Sequence, residues 1–358
     1  MASYTAGRVP AFVSLGMVVV DELRSPGKTP RTNIPGGSGT FSTFGARLVS
    51  GRDQAADVGC FILAGSDFPQ SVLDRLEEWD IDLTVKVDPT RLSTRGLLEY
   101  HDAAFSRKTF HYTTTPLQPT PKDLPLPLLA ASSFHLLAGP ADLERQVGEL
   151  LRLRSQSRDT SERRPLLVWE PLPIQVSAAA REAHLAACRL VHVFSPNHLE
   201  LIMLFQGPVS PEEADDAAFR TDLVEAYADA VLDAGIGPDG NGTIVVRAGS
   251  RGCLVSSTQI HGRHRWLPAV SFAHGSRRAV VDATGAGNTF LGALTFAMAS
   301  HDHDVLVAAR QATVAASFAI EQIGLATLER PADGQEEERW NGQTFGERFK
   351  THESMQLL

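Results

Sequence analysis

Short apolar runs alternate with amphipathic segments along most of the chain. Continuous apolar runs of strand length predict strands buried on both faces, at residues 11–20, 58–65, 133–137, 166–169, 190–194 and 243–247. Between them, apolar residues recur at three- and four-residue spacing and predict helices, at residues 143–153, 223–232 and 305–323. Strands that alternate with helices are typical of an α/β protein with a mostly parallel central sheet.

Three segments depart from this alternation. Residues 94–100 and 108–113 alternate apolar and polar side chains and predict an antiparallel hairpin. Five prolines between residues 116 and 127 predict a stiff connector back to the buried sheet. Residues 331–358 are polar and charged. We expect them to form a surface extension that is held to the protein by Trp340 and Phe345.

Composition narrows the class of protein. The chain has 358 residues, 43% of them hydrophobic, and can bury a large core. Its net charge of −9, with scattered Lys and Arg, argues against nucleic acid as a partner. The three cysteines are far apart, without a C-x-x-C motif, which indicates a reducing compartment. Neither a signal-peptide pattern nor a run of 18 apolar residues is present. We therefore expect a cytoplasmic protein with no membrane partner, the nucleus being the alternative location.

Residues 280–294 carry the clearest chemical signal. Val280 and Val281 predict the end of a strand, a turn of small residues follows, and apolar residues then recur at helical spacing. This pattern places the amides of residues 285–288 at the start of a helix. Unpaired N–H groups and the helix dipole favour a phosphate there, and the glycines allow it to approach the main chain.

Residues 282–288, D-A-T-G-A-G-N, resemble the D-T-x-G-A-G-D signature of the ribokinase/PfkB family of carbohydrate kinases. The resemblance implies ATP as the phosphoryl donor and a small-molecule hydroxyl compound, sugar-like or nucleoside-like, as the acceptor. It further implies that the amides of Gly285, Ala286 and Gly287 stabilise the transferring group. Asp282 belongs to the same catalytic turn, and Thr284 borders the nucleotide.

Asn288 is the main departure from this family. The family has an Asp there that removes the proton from the substrate hydroxyl, and an amide cannot accept that proton. A positioned general base contributes about 10²–10⁴ to the reaction rate, and Asn288 cannot supply that contribution. One hypothesis is a kinase whose base is Asp282 or Asp21, or whose acceptor needs no base. A pseudokinase that binds nucleotide or ligand is the second, and ATP-dependent activation of a carboxylate is the third. We expect Asn288→Asp to create or raise phosphotransfer if the rest of the site is competent.

The N-terminal region resembles the family's substrate-binding segment. Residues 36–48 partly match the signature G-G-x-x-x-N-x-A-x-x-x-A-R-L, which implies substrate contacts from Gly36, Gly37 and Thr40. Either Thr40 or Phe41 replaces the family's sugar-binding Asn. Asp21, after the first predicted strand, would bind a substrate hydroxyl. The alternatives are a glycine-rich turn into a packed helix and, for Asp21, a solvated turn residue.

Two further motifs point to the nucleotide. Asn197 and Glu200 match the family's N-x-x-E, whose Glu acts on Mg²⁺ and phosphate through water, although the same spacing is also typical of a helix cap. Residues 247–252 resemble K-x-G-x-x-G with Arg for Lys, which implies that Arg247, Gly249 and Gly252 border the nucleotide; a tight hairpin is the alternative. ATP and Mg²⁺ are the cofactors that these motifs imply.

The resemblance also predicts the architecture. It implies a ribokinase-like three-layer α/β/α sandwich in one domain over residues 1–330, with a small β lid from residues around 22–34 and 94–115 and a polar extension over 331–358. Some members of the family dimerise through the lid, and a homodimer of this kind is compatible with the sequence.

Three other patterns have less weight. Residues 235–240 match G-x-G-x-x-G but follow a helix and precede a strand, the reverse of a dinucleotide site. His301 and His303 have no third ligand at a helpful spacing, so we expect a solvated helix end rather than a metal site. Glu170 ends a predicted strand and either faces the cleft or lies in a turn.

Overall fold

The buried runs and the periodic segments form the strands and helices of a layered α/β protein. The computed structural model describes residues 8–101, 108–157, 163–210, 218–272, 280–300, 304–331 and 337–356. The strands are β1 Phe12–Ser14, β2 Val19–Arg24, β3 Arg31–Gly36, β4 Val58–Gly65, β5 Asp82–Asp88, β6 Arg95–Tyr100, β7 Lys108–Tyr112, β8 Ser133–Ala138, β9 Leu166–Pro171, β10 Val193–Phe194, β11 Thr243–Arg247, β12 Cys253–Ser257, β13 His264–Leu267, β14 Leu328–Glu329 and β15 Arg339–Trp340. The helices are α1 Gly37–Ser50, α2 Gln70–Glu77, α3 Leu126–Leu129, α4 Pro140–Ser155, α5 Arg181–Cys188, α6 His198–Gln206, α7 Thr221–Ala234, α8 Ala286–Ser300, α9 Val305–Ala319 and α10 Phe345–Gln356.

The central sheet has nine strands in the order β13-β12-β11-β10-β9-β8-β1-β4-β5. All neighbours from β11 to β5 run parallel, and β12 and β13 add an antiparallel edge. Alternate side chains of each strand enter two cores, as in β9, where Val168 packs on one face and Leu167 on the other. Helices α1, α8 and α9 cover the first face, and α4, α5 and α7 cover the second. The predicted three-layer α/β/α sandwich is confirmed.

A second sheet of four strands, in the order β3-β2-β6-β7, lies beside the carboxyl edge of the central sheet. We call it the lid. The predicted hairpin is present, because β6 and β7 pair antiparallel from Gly96–Tyr112 to Tyr100–Lys108. The outer strand β7 is exposed along its whole length.

The single strand predicted for residues 11–20 is wrong, because it divides into β1 of the central sheet and β2 of the lid. The chain breaks at Gly16, where a Cβ atom would lie 2.5 Å from Ser38 Oγ at the start of α1. Asp21 therefore lies inside a lid strand and not at the end of a central strand. Helix α2 begins at Gln70, and Asp67 just before it accepts hydrogen bonds from Arg95 Nε and Ser93 N instead of capping the helix.

The C-terminal extension packs against the core. Trp340 is 1% exposed, and its ring centroid lies 5.3 Å from that of Phe44 and 6.1 Å from that of Trp79. Glu338 accepts two hydrogen bonds of 2.6 Å from the guanidinium of Arg47, which is fully buried in α1. Docking by Trp340 thus agrees with the prediction, but the segment is an integrated part of the core rather than a surface appendage. Within the described ranges, no helix is long and apolar enough to span a bilayer.

Candidate active site

The glycine turn, residues 282–288, leads directly into a helix, as the sequence pattern predicts. Helix α8 begins at Ala286, immediately after Gly285, whose φ of +82° lies in the left-handed region. A Cβ atom at Gly285 would lie 2.3 Å from the ring of Phe41, so no larger residue fits. The amides of Gly287 and Asn288 have no acceptor within the helix because they belong to its first turn, and they are available to an anion.

The approach to this turn differs from the prediction. Val280 and Val281 do not form a strand and are 62% and 36% exposed. The amides of Val281 and Asp282 both donate to Ile320 O, at 2.7 and 3.2 Å, so the segment follows the end of α9 and does not join the sheet. Two β-branched residues are typical of a strand, but here the amide of Val281 pairs with a helix-end carbonyl instead of a neighbouring strand.

Asp282 joins the glycine turn to the lid. Its Oδ1 accepts hydrogen bonds from Thr284 N (3.0 Å) and Thr284 Oγ1 (2.7 Å), and its Oδ2 accepts one of 2.5 Å from the Tyr100 hydroxyl on β6. Lys108 Nζ, on β7, lies 3.1 Å from Oδ1 and contacts Thr284 Oγ1. Burial alone would raise the pKa of Asp282, but the hydrogen bonds and the charge of Lys108 lower it below its usual value. Both oxygens of Asp282 are therefore engaged by the turn and the lid.

A buried ion cluster lies beside the turn, where β9, β10 and β11 end. Arg247 Nη1 lies 2.9 Å from Glu170 Oε1, and Arg247 Nη2 lies 3.5 Å from Glu200 Oε2 and donates to Ser195 O at 3.1 Å. Asn288 Nδ2 donates a 2.6 Å hydrogen bond to Glu170 Oε2. Burial alone would raise the pKa of Glu170, but the charge of Arg247 lowers it below its usual value. Burial raises the pKa of Glu200, and Arg247 only partly offsets that effect.

Asn197 and Glu200 form a capping box at the start of α6. Asn197 Oδ1 accepts from Glu200 N at 2.8 Å, and Asn197 N donates to Glu200 Oε2 at 2.7 Å. The alternative that the spacing reflects a helix cap is therefore correct. The same cap holds Glu200 beside Arg247, so a structural role and a role in the cleft are compatible.

Asp21 is a buried carboxylate in the lid. It is 8% exposed, and its Oδ1 has no hydrogen-bond partner among the residues that the structure describes. Two glycines make room for it, since a Cβ atom at Gly36 would lie 1.8 Å from Oδ2 and one at Gly96 would lie 2.5 Å from Oδ1. Burial raises the pKa of Asp21 to about 7. Burial and the hydrogen bond to Asp282 raise the pKa of Tyr100, and the charge of Asp21 adds to this effect, so Asp21 lies on the Tyr100 side of the lid.

The other N-terminal positions do not present polar groups to the cleft. Thr40 is fully buried, and its hydroxyl donates to Gly36 O at 2.6 Å within the first turn of α1. Phe41 packs on Gly285. Gly37 has a φ of +86°, and a Cβ atom there would lie 2.4 Å from Met17 O. Gly36 and Gly37 therefore serve close packing around Asp21 and β2, and the structure does not bring Thr40 into the cleft.

A cavity of about 630 Å³ begins at the glycine turn. Ala286 and Gly287 line it together with Asn197 and Arg247, and α9 closes its far side. Gly249 and Gly252, in the hairpin between β11 and β12, also line it, so the hairpin and the nucleotide-border predictions are both compatible with the structure. A second cavity, of about 550 Å³, lies at the opposite edge of the sheet and contains none of the predicted site residues.

The residues near Glu200 fit Mg²⁺ only through water. No group of three or more His, Cys, Asp or Glu side chains in the described part of the chain could ligate a metal directly. His301 and His303 lie outside that part. Glu200 Oε2 accepts from Asn197 N, which leaves Oε1 for a water-mediated contact. Because Mg²⁺ keeps several waters and is held largely by substrate phosphates, this arrangement fits an ion that enters with a nucleotide.

Four residues of the site were not predicted as functional. Tyr100 and Lys108 reach the turn from lid strands, and the hairpin pattern contained no sign of that contact. For Glu170 the sequence leaves open whether this strand-end carboxylate faces the cleft or lies in a turn, and it gives no sign of the contact with Asn288. His135 lies in β8 inside an apolar run and is fully buried, with Nε2 3.4 Å from Glu170 Oε2. A polar residue within a buried strand was the available signal.

A parallel sheet between helix layers, a four-stranded lid and a phosphate-type glycine turn between them together define a ribokinase-like kinase fold. The model of the pfkB family of carbohydrate kinases matches residues 28–332, and the chain belongs to that family.

Two relatives match nearly the whole chain. An uncharacterised protein of Schizosaccharomyces pombe is 31% identical over 95% of this chain and 92% of its own length. The protein MAK32 of Saccharomyces cerevisiae is 29% identical over 97% of this chain and 93% of its own length.

Solved structures share the fold at low sequence identity. Ribokinase from Giardia lamblia has a TM-score of 0.67 at 16% identity, covering 98% of this chain and 100% of that one. A putative ribokinase II from Escherichia coli, in complex with ATP and Mg²⁺, has a TM-score of 0.64 at 17% identity, covering 97% and 100%.

Proposed function

We propose that the protein transfers the γ-phosphoryl group of ATP to a hydroxyl group of a small sugar-like or nucleoside-like substrate. One observation carries the proposal: the glycine turn, Asn197 and Arg247 open into the same cavity of about 630 Å³. That volume is typical of small-molecule sites, which occupy roughly 300–1,000 Å³. The complex of a similar protein with ATP and Mg²⁺ supports the choice of donor.

Different residues of the site would bind the two substrates, ATP and the acceptor. The amides of Gly287 and Asn288 would stabilise charge on the transferring group, with Arg247 next to them. Asp21 would accept a hydrogen bond from the acceptor, because its buried Oδ1 has no other partner in the described chain. The lid would exclude water through the contacts of Tyr100 and Lys108. Bound Mg²⁺ would neutralise phosphate charge, with Glu200 holding its water shell.

A second candidate is a nucleotide-binding pseudokinase. Two observations favour it: residue 288 is an amide, and Arg247 is already paired with Glu170 and Glu200. Binding would then be retained without transfer.

Thermal shift and product formation separate the two candidates. We expect Mg-ATP to raise the melting temperature of the wild type and not that of Gly287→Ala, in which a methyl group would block the approach of the phosphate. Incubation with pentoses, hexoses and nucleosides should then release ADP in proportion to phosphorylated acceptor. A thermal shift without product would support the pseudokinase, and the absence of a shift would refute both.

A further inference from the structure

Glu170 is a buried carboxylate in direct contact with Asn288. It ends β9, at the carboxyl edge of the sheet, and its side chain is 8% exposed. Oε1 is paired with Arg247 Nη1 at 2.9 Å, and Oε2 instead faces Asn288 Nδ2 at 2.6 Å. A carboxylate oxygen therefore lies next to the side chain that replaces the family's Asp.

We propose that Glu170 is the general base of the phosphotransfer, in place of residue 288. This inference rests on the proposed function. The acceptor's hydroxyl oxygen forms a bond to the γ-phosphorus, and the bond from that phosphorus to the β–γ bridging oxygen breaks. ADP leaves with the electron pair, and the hydroxyl proton passes to Glu170 Oε2 and then to water. The amide of Asn288 orients the carboxylate through its hydrogen bond.

A buried polar chain supports Glu170 from behind. His135, on the neighbouring strand β8, has Nε2 at 3.4 Å from Glu170 Oε2 and Nδ1 at 3.0 Å from Ser14 Oγ. Gly16 N donates to the same hydroxyl oxygen at 3.0 Å, so the Ser14 proton is free to point at His135 Nδ1. In that arrangement Nε2 carries the imidazole proton and faces Glu170 Oε2 at 3.4 Å, an electrostatic contact rather than a formed hydrogen bond. His135 is thus a positioning residue, similar in logic to the base and orienting group of other catalytic sites.

A purely structural ion pair would not need this arrangement. A salt bridge to Arg247 uses one oxygen of Glu170, whereas the second oxygen is aimed at residue 288 and at His135. Glu170 and Asp282 both have partners on each carboxylate oxygen, but Glu170 contacts residue 288. The partners of Asp282, one of the bases considered from the sequence, are instead Tyr100, Thr284 and Lys108.

Exchanging the carboxylate of residue 170 and the amide of residue 288 tests the proposal. Glu170→Gln should lower kcat by about 10²-fold or more, since a positioned base contributes about 10²–10⁴. Asn288→Asp alone should not raise kcat, because two carboxylates at hydrogen-bond distance share a proton. This expectation differs from that drawn from the sequence. The double variant E170Q/N288D, which moves the carboxylate to residue 288, should recover kcat to within about tenfold of the wild type.

Controls separate chemistry from folding. Glu338→Gln removes another buried carboxylate paired with an arginine, far from the cavity, and should keep its activity per folded molecule. If E170Q fails to fold, Glu170→Asp, which keeps the charge on a shorter side chain, should retain measurable transfer. His135→Asn should shift the acidic limb of the kcat–pH profile while KM for Mg-ATP stays within about twofold.

The outcomes are distinguishable. A kcat for E170Q within about threefold of the wild type would overturn the role of Glu170, as would Asn288→Asp raising kcat while E170Q has no effect. If the panel of pentoses, hexoses and nucleosides yields no product with either the wild type or E170Q/N288D, although Mg-ATP still raises the melting temperature, the proposed function fails and this inference fails with it.

Discussion

Tyr100 and Asp282 connect the lid to the glycine turn. The Tyr100 hydroxyl, on lid strand β6, donates a 2.5 Å hydrogen bond to Asp282 Oδ2, and Asp282 is only 3% exposed. The other carboxylate oxygen is bound within the turn by Thr284. The lid therefore closes onto the residue that shapes the anion site, and its position and the geometry of the turn are coupled.

Removing the Tyr100 hydroxyl should loosen the lid. In Tyr100→Phe, Asp282 Oδ2 loses its donor while the carboxylate stays buried, so we expect a loss of about 1–3 kcal/mol in the free energy of unfolding. Hydrogen exchange should become faster in β6 and β7 and stay unchanged in β9 and β11. Tyr112→Phe, on the exposed edge strand, is the control. Unchanged exchange in the lid of Tyr100→Phe would show that the contact does not hold it closed.

Asp21 should make stability fall as the pH rises. Its pKa is raised to about 7 in the folded protein, against about 3.9 in an unfolded chain. Between these values the folded state holds a proton that the unfolded state releases, so the free energy of unfolding decreases through this window. Asp21→Asn removes that dependence. We expect it to be more stable than the wild type at pH 8, by up to about 4 kcal/mol, and nearly equal at pH 4.

Chemical denaturation at pH 4, 6 and 8 measures this effect. Glu22→Gln, the neighbour on the same strand that pairs with Arg24, is the control and should not change the difference between pH 4 and pH 8. Phosphotransfer should fall in Asp21→Asn despite its higher stability, which is common where a buried polar group serves a ligand. Equal stability of Asp21→Asn and the wild type at pH 8 would contradict the prediction.

Much of the fold was predictable because buried parallel strands are continuous apolar runs. Residues 58–65 and 243–247 are strands over the whole predicted length. Residues 11–20 failed for a related reason: both halves of the run are buried, in β1 and β2, and apolar character alone does not distinguish two sheets. The break depends on Gly16 approaching α1, which is a tertiary contact.

The sequence predicts the parts of the site that depend on the local backbone. It does not predict contacts between side chains that are far apart in the sequence. Glycines at a helix start suffice to predict an anion site, and Asn197 with Glu200 predicts a cap from spacing alone. The contact of Glu170 with Asn288 joins residues 118 positions apart, and that of Tyr100 with Asp282 joins residues 182 apart. No local pattern contains such pairs, so only the folded chain identified them.

Two glycines of the turn should respond differently to the same substitution. In Gly287→Ala, the new Cβ would lie 2.4 Å from Arg247 Nη1, the end of a long side chain that can shift at some cost to its pairing with Glu170, so the protein should still fold. Nucleotide binding should be lost, since the methyl group occupies the approach of the phosphate. In Gly285→Ala, the left-handed φ and the ring of Phe41 leave no room, and we expect a loss of more than about 2 kcal/mol.

Thermal melts with and without Mg-ADP compare the two variants. A normal ligand shift in Gly287→Ala would contradict the assignment of the turn to phosphate. A normal melting temperature in Gly285→Ala would mean that Phe41 does not restrict this position.

Arg348 should link the C-terminal extension to the nucleotide cavity. In α10 it is 3% exposed and donates to Ser317 Oγ at 3.0 Å and to Glu321 Oε1 at 2.8 Å. Ser317 lines the cavity, so the extension supports its wall from behind. Arg348→Ala leaves Glu321 buried without its cation, and we expect a loss of about 3–5 kcal/mol and a Kd for Mg-ADP raised by about three- to tenfold.

Trp340→Ala is the matched control, because it removes a buried side chain of the same extension that does not touch the cavity. It should cost about 3–5 kcal/mol, yet calorimetric titration below its melting temperature should give a wild-type Kd. If both variants weaken binding equally, the extension acts only through global stability. If neither does, the wall formed by Ser317 does not depend on Arg348.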